Sequence, residues 1–101
     1  MRPISRFMVC LVLLGPSLTQ AASTIEGQKI YDRNCAMCHG VQGISVMASA
    51  PNFKYGQGLF KSDFSLVDRI KKGKNACPAF IGILREQQIY DVIAYLRTLY
   101  P

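Results

Sequence analysis

Three stretches of the chain carry apolar residues at helical spacing, and none shows the two-residue alternation of a strand. The clearest is the last. From about Arg85, the residues Ile89, Val92, Ile93, Leu96 and Leu99 recur at three- and four-residue steps and predict an amphipathic helix ending near Tyr100. A middle helix is predicted from Ser62/Asp63 as N-cap, with Phe64, Val67 and Ile70 on one face and Gly73 as the stop after a basic last turn. The first helix opens on Ser23-Thr24-Ile25-Glu26, which has the Ser-x-x-Glu form of a capping box, and runs to about Asn34 with Ile30 and Tyr31 on its apolar side. Gly27 inside it costs about 1 kcal/mol of helix propensity against alanine, which points to another helix crossing closely there. Residues 40–61 hold Gly40, Gly43, Pro51, Gly56 and Gly58 and predict a long irregular loop, a length that in a small domain usually serves function. The pattern predicts an all-α domain.

The start of the chain follows a different logic. Arg2 and Arg6 form a basic region, residues 7–14 (FMVCLVLL) an apolar run, and Gly15-Pro16 a break before the small-residue site Thr19-Gln20-Ala21. This is the pattern of an export signal, cleaved after Ala21, with residues 22–101 as the mature domain. The apolar run is far shorter than the roughly 20 residues that span a bilayer, so no stable membrane span is expected after cleavage. Cys10 lies inside the run rather than at its end, which argues against a lipid anchor. The expected location is the periplasm. A domain of about 80 residues buries a small core and usually needs a staple.

Cys35-Ala36-Met37-Cys38-His39 supplies candidate chemistry. Two cysteines at this spacing, followed at once by histidine, read as a c-type haem attachment site. Each thiol adds across one haem vinyl group to form a thioether, and the adjacent imidazole is then held where it can bind the iron. A thioredoxin-like pair would want a βαβ setting, and a Cys₂His₂ zinc site a second histidine, whereas His39 is the only histidine in the chain. Covalent haem would be the staple the small core needs. Without it the chain is expected to fold poorly.

The chain carries 12 Lys and Arg against 6 Asp and Glu, a formal charge of +6 that loses two units with Arg2 and Arg6. The cations cluster at Lys54, Lys61, Arg69, Lys71, Lys72 and Lys74. They read either as an ordinary solvated surface or as a basic rim that steers the protein onto redox partners with acidic docking surfaces. The export signal and the lack of aromatic-and-basic interleaving argue against nucleic acid as a partner.

Taken together, the run Tyr31-Asp32-Arg33-Asn34-Cys35-Ala36-Met37-Cys38-His39-Gly40, the loop proline Pro51, and Asp91-Val92-Ile93-Ala94-Tyr95-Leu96-Arg97 resemble a small class I cytochrome c, from about Ser23 to Leu99. The resemblance implies three main helices around one covalently bound haem c and its iron, with the first and last helices crossing beside it. It matches Gly27 and Tyr31 to contact positions on the first helix and Tyr95 and Leu96 to those on the last. It also implies that the Pro51 carbonyl accepts a hydrogen bond from His39, an outer contact that orients a ligating imidazole.

The chain departs from the family at the second axial ligand. A methionine usually stands in a Gly…Met-Pro-Ala-Phe segment, whereas here the run is Gly73-Lys74-Asn75-Ala76-Cys77-Pro78-Ala79-Phe80. Met47 lies in the loop expected on the histidine side of the haem and is a weak substitute. Cys77 is left without an intramolecular disulfide partner once the thioethers form. It reads as a thiolate ligand of iron, as an unligated thiol beside an iron left open or bound by water or lysine, or as a site of intermolecular pairing or sulfur modification. Thiolate ligation would lower the reduction potential. The function expected is that of a mono-haem electron carrier, or the haem subunit of an oxidoreductase. Alternatives are a haem-thiolate enzyme acting on a sulfur compound or peroxide, and a haem-based sensor of small gases. Nothing in the sequence requires enzyme activity.

Overall fold

The computed structural model describes residues 3–4, 8–12, 15 and 20–101. Arg2, Arg6 and most of the expected signal lie outside the described residues. The order along the chain is α1 (Thr24–Asn34), α2 (Ala36–His39), a short 3-10 turn at Phe53–Tyr55, α3 (Asp63–Lys72) and α4 (Glu86–Leu99). Among the described residues there is no strand, only an isolated antiparallel bridge between Lys74 and Cys77. No described helix is long and apolar enough to cross a membrane. The fold is the all-α arrangement that the apolar spacing predicts, and the long loop over 40–61 holds only the one 3-10 turn.

Helix α1 starts where its cap requires. Ser23 Oγ accepts the Glu26 backbone N–H at 3.2 Å, but the reciprocal half of the capping box is not made. The Ser23 backbone N–H instead donates to Asp91 Oδ1 at 2.8 Å, and the Glu26 carboxylate pairs with Lys29 at 3.0 Å. A tertiary contact with α4 has taken the place of a local one. Helix α3 is capped by Ser62, as predicted, yet its buried side chains are Leu66 and Val67, while Phe64 is 80% exposed. The reason is angular. At about 100° per residue, Leu66, Val67 and Ile70 fall within roughly 100° of one another, and Phe64 lies about 60° further round.

Two apolar clusters fill the core. One joins Ile30, Tyr31, Leu59, Val92 and Leu96; the other joins Leu66, Val67, Ile89 and Ile93. Helix α4 contributes to both, so it is the spine against which α1 and α3 pack. Where α1 meets α4, the backbones touch. A Cβ at Gly27 would overlap the Asp91 carbonyl oxygen, lie 2.5 Å from its carbon and 3.0 Å from Tyr95 Cβ. The helical cost of this glycine is therefore offset by close packing. Arg97 ties the end of the long loop to α4, donating to the Leu59 and Lys61 carbonyls at 2.9 Å each and to Asp63 Oδ1.

Gly27→Ala gains helix propensity but must push α1 off α4, because the obstruction is backbone. The expected net loss is at least about 2 kcal/mol, read as a fall of roughly 8–16 °C in the thermal midpoint. A melting curve unchanged by the substitution would contradict the close approach.

Candidate functional site

The Cys-x-x-Cys-His run forms α2 directly after α1, and backbone bonds fix its placement. Cys35 N–H donates to the Tyr31 carbonyl at 2.8 Å, His39 N–H to the Cys35 carbonyl at 3.0 Å, and Gly40 N–H to the Ala36 carbonyl at 2.8 Å. Gly40 ends the helix at φ 79°, a conformation open to glycine. The Tyr31 hydroxyl donates to the Gly40 carbonyl, so the fully buried ring of α1 holds the end of α2. That ring packs against Tyr95 of α4 at 5.3 Å between centroids. Burial, first of all, raises the Tyr31 pKa, so its hydroxyl remains a donor.

His39 is held on two sides. Its Nδ1 lies 3.2 Å from the Pro51 carbonyl, and its ring stacks on Phe53 at 4.3 Å and 20° between planes. The first contact makes Nδ1 the donor and leaves Nε2 as the free ligating atom. Burial lowers the His39 pKa, the Pro51 bond partly offsets this, and the Arg69 charge lowers it further. The imidazole is kept neutral, which is the form that binds metal. The loop carrying Pro51 is fastened to α2 as well. Val46 and Met47 N–H groups donate to the Cys38 carbonyl at 3.0 and 3.3 Å. Met47 thus sits on the loop that supports His39.

Cys77 is half-buried in the loop between α3 and α4. Lys74 and Cys77 exchange backbone bonds of 3.0 and 2.9 Å, and the Phe80 N–H donates to the Ile70 carbonyl at 3.1 Å. Gly73 makes the tight turn possible: its φ is 69°, and a Cβ there would lie 2.7 Å from both Ala79 N and the Cys77 carbonyl oxygen. Burial pushes the Cys35 thiol up to about 12, and negative charge on Cys77 adds to the rise ahead of that on Cys38. The Cys77 sulfur itself lies 3.9 Å from the Pro78 carbonyl. Among the described residues, no three His, Cys, Asp or Glu side chains converge on one point as a direct metal-ion site.

The surroundings suit a large flat apolar group with an anionic edge. Met37 on α2, Ile44 and Val46 on the loop after it, and Ile81 and Ile83 just beyond Cys77 are all exposed, apolar surface that such a group could cover. Arg69 Nη1 is buried with no hydrogen-bond partner, a donor that an acidic group would satisfy. A groove of about 470 Å³ lies elsewhere, lined by Gln28, Val41, Gln42, Lys54, Tyr95, Thr98 and Leu99, and holds none of Cys35, Cys38, His39 and Cys77. Of the clustered cations, Lys71 pairs with Glu86 at 3.3 Å and Lys72 with Asp68 at 2.9 Å. Phe53 is a site feature that sequence reasoning does not single out, and Arg69 is read there only as one of the clustered surface cations. Only proximity in space gives them a role.

The comparisons agree with this architecture. A family model described as Cytochrome C oxidase, cbb3-type, subunit III, matches residues 22–96. The chain is 37% identical to cytochrome c6 of Nostoc sp. over 85% of its own length and 86% of the relative's. It is 39% identical to cytochrome c6 of Thermosynechococcus vestitus, covering 85% and 78% of the two chains. The solved cytochrome c6 of the diatom Phaeodactylum tricornutum superposes with a TM-score of 0.64 at 30% identity, over 76% of this chain and 93% of that one.

Tyr31→Phe keeps the packing and removes the hydroxyl donor from the Gly40 carbonyl, which keeps only the Gly43 N–H at 3.2 Å. The expected cost is about 0.5–1.5 kcal/mol, measured as a lower denaturant midpoint with the slope unchanged. Equal midpoints would mean that the hydroxyl does not hold α2.

Proposed function

From the premise that this chain belongs to the class I cytochrome c family, we propose that it is an exported mono-haem electron carrier in which His39 and Cys77 bind the iron from opposite faces. The family's group is one covalent haem c with its iron. When bound, it supplies a one-electron Fe(III)/Fe(II) couple. The observation that carries the proposal is the setting of His39: last in the attachment run, neutral, and oriented by the Pro51 carbonyl and the Phe53 ring.

Each residue has a distinct task. Cys35 and Cys38 would hold the group covalently, each through a thioether to one of its vinyl positions. His39 offers Nε2, while its Nδ1 proton stays on the Pro51 carbonyl and raises the basicity of the ring. Arg69 gives its orphaned Nη1 to the anionic edge of the group. Cys77 supplies an anionic sulfur where relatives of this family carry the neutral thioether of methionine. A thiolate favours the more positively charged iron, so the potential falls.

Residues 1–21 act as the export signal and residues 22–101 as the domain, which places the carrier in the periplasm. Lys54, Lys61 and Lys74 take no part in the ion pairs of the described residues and are the cations available to an acidic redox partner. Electron exchange with such a partner should slow steeply between low and physiological ionic strength, because the Debye length shrinks to about 8 Å. An exchange rate independent of salt would count against steering.

Spectroscopy and potentiometry test the ligand set. Cys77→Met is expected to raise the midpoint potential by on the order of a few hundred mV, within the roughly 0.8 V that axial ligands span. Cys77→Ala should remove the sulfur signature from the oxidised EPR spectrum. Spectra identical to those of the parent protein would exclude Cys77 as a ligand while leaving the cytochrome intact. Cys38→Ala is expected to cut the yield of holo-protein severely, and full yield with both thioethers would oppose the attachment assignment.

A further inference from the structure

Asp91 is a buried carboxylate, 7% exposed, on the face of α4 that meets the start of α1. Both of its hydrogen bonds come from neutral donors and reach one oxygen: the Ser23 backbone N–H at 2.8 Å and Gln87 Nε2 at 3.1 Å, both to Oδ1. No cation pairs with it among the described residues. A buried carboxylate without a counter-charge is costly, and the positive end of α1 supplies only a partial one.

The missing cation is one residue away in the chain. Backbone nitrogens of successive residues are separated by roughly 3–3.7 Å on covalent geometry alone. The nitrogen of Ala22 is therefore held near Asp91 by the Ser23 bond itself. In the uncleaved chain that nitrogen belongs to a neutral amide. Gln20 and Ala22 then lie along a groove of about 270 Å³ that Gln87 and Tyr90 of α4 complete.

We infer that Asp91 is the docking site for the chain's own new N-terminus: cleavage between Ala21 and Ala22 creates an ammonium group that pairs with it and clamps α1 to α4. The inference rests on the proposal that the export signal ends at Ala21. In the cleavage, one water molecule adds across the peptide bond. Ala21 keeps the carboxylate and leaves with the signal, and Ala22 keeps the amine, which takes up the proton. A free ammonium at a helix N-terminus opposes the helix dipole. Asp91 reverses that penalty, and the dipole in turn favours the carboxylate. Glu26, the one carboxylate in the first turn of α1, is engaged with Lys29 and exposed. Processing thus tightens the same helix crossing that Gly27 makes possible, and the uncleaved chain lacks this clamp.

The test uses the exported holo-protein. Intact mass is expected to give Ala22 as the first residue, and any other first residue overturns the processing position by itself. Selective acetylation of the α-amine should lower the thermal midpoint by roughly 4–8 °C in the parent protein and by less than half as much in Asp91→Asn. Equal losses in both backgrounds would overturn the ion pair even if the mass is as expected. Should Asp91→Asn yield no holo-protein, the parent protein alone decides the matter. Its Ala22 amine should react with an amine-directed ester about tenfold more slowly near pH 7.5 than the amine of a peptide with the same first residues, the factor for a one-unit rise in its pKa. Equal rates would refute the pairing.

Discussion

The backbone contact between α1 and α4 at Gly27 is the constraint from which the rest of the molecule follows. It sets the distance between the two helices, and that distance lets Tyr31 reach both Tyr95 and the Gly40 carbonyl. Through Gly40 the same ring holds the end of α2. The attachment run is therefore placed by a core residue rather than by the long loop that follows it. Pro51 and Phe53 then meet His39 from that loop, which is itself fastened to the Cys38 carbonyl through Val46 and Met47. A chain of short-range contacts leads from one glycine to one imidazole. A residue larger than glycine at position 27 would disturb the ligand without touching it.

The parts legible in the sequence are those governed by local rules. Ser23 and Ser62 cap helices where the pattern places them, Gly73 stops α3, and the apolar steps of α4 give its buried face within a residue of the observed bounds. What local rules miss is decided by neighbours distant in the chain. The Ser-x-x-Glu box is half made because Asp91, far along the chain, is a better acceptor for the Ser23 N–H than Glu26. Phe64 has the right spacing to Val67, but the stripe that α4 covers is centred on Leu66 and Ile70. Phe53 and Arg69 carry no sequence signal that separates them from other loop aromatics and surface cations. Their importance lies in a ring stacked on His39 and a buried guanidinium nitrogen with no partner.

The two core clusters are small and share the apolar face of α4, and several apolar side chains near the candidate site remain uncovered. A domain of this size gains little margin from such a core. A covalently held flat group would do two things for it at once: it would cover that apolar surface, and, attached at Cys35 and Cys38 as proposed, it would restrict the unfolded ensemble by tying both to one rigid body. Stability and redox chemistry are then properties of the same contact, and the family's use of covalent attachment is intelligible on physical grounds.

The loop bearing Cys77 explains how such a domain can change its chemistry without changing its fold. Its path is set by backbone: the φ of 69° at Gly73, the φ of 53° at Asn75, the paired bonds between Lys74 and Cys77, and the anchors from Phe80 and Ile81 onto the end of α3. None of these involves the side chain at position 77. The cysteine is half-buried, and among the described residues its sulfur makes a single weak hydrogen bond, to the Pro78 carbonyl at 3.9 Å. A position whose backbone is fully determined, and whose side chain is held by nothing else, can exchange one sulfur donor for another at little cost in folding energy. If Cys77 binds the iron as proposed, the difference would be expressed instead in the charge it brings to the site, since a thioether is neutral and a thiolate is not. The fold would then constrain where the sulfur stands, and the residue alone would decide which oxidation state it favours.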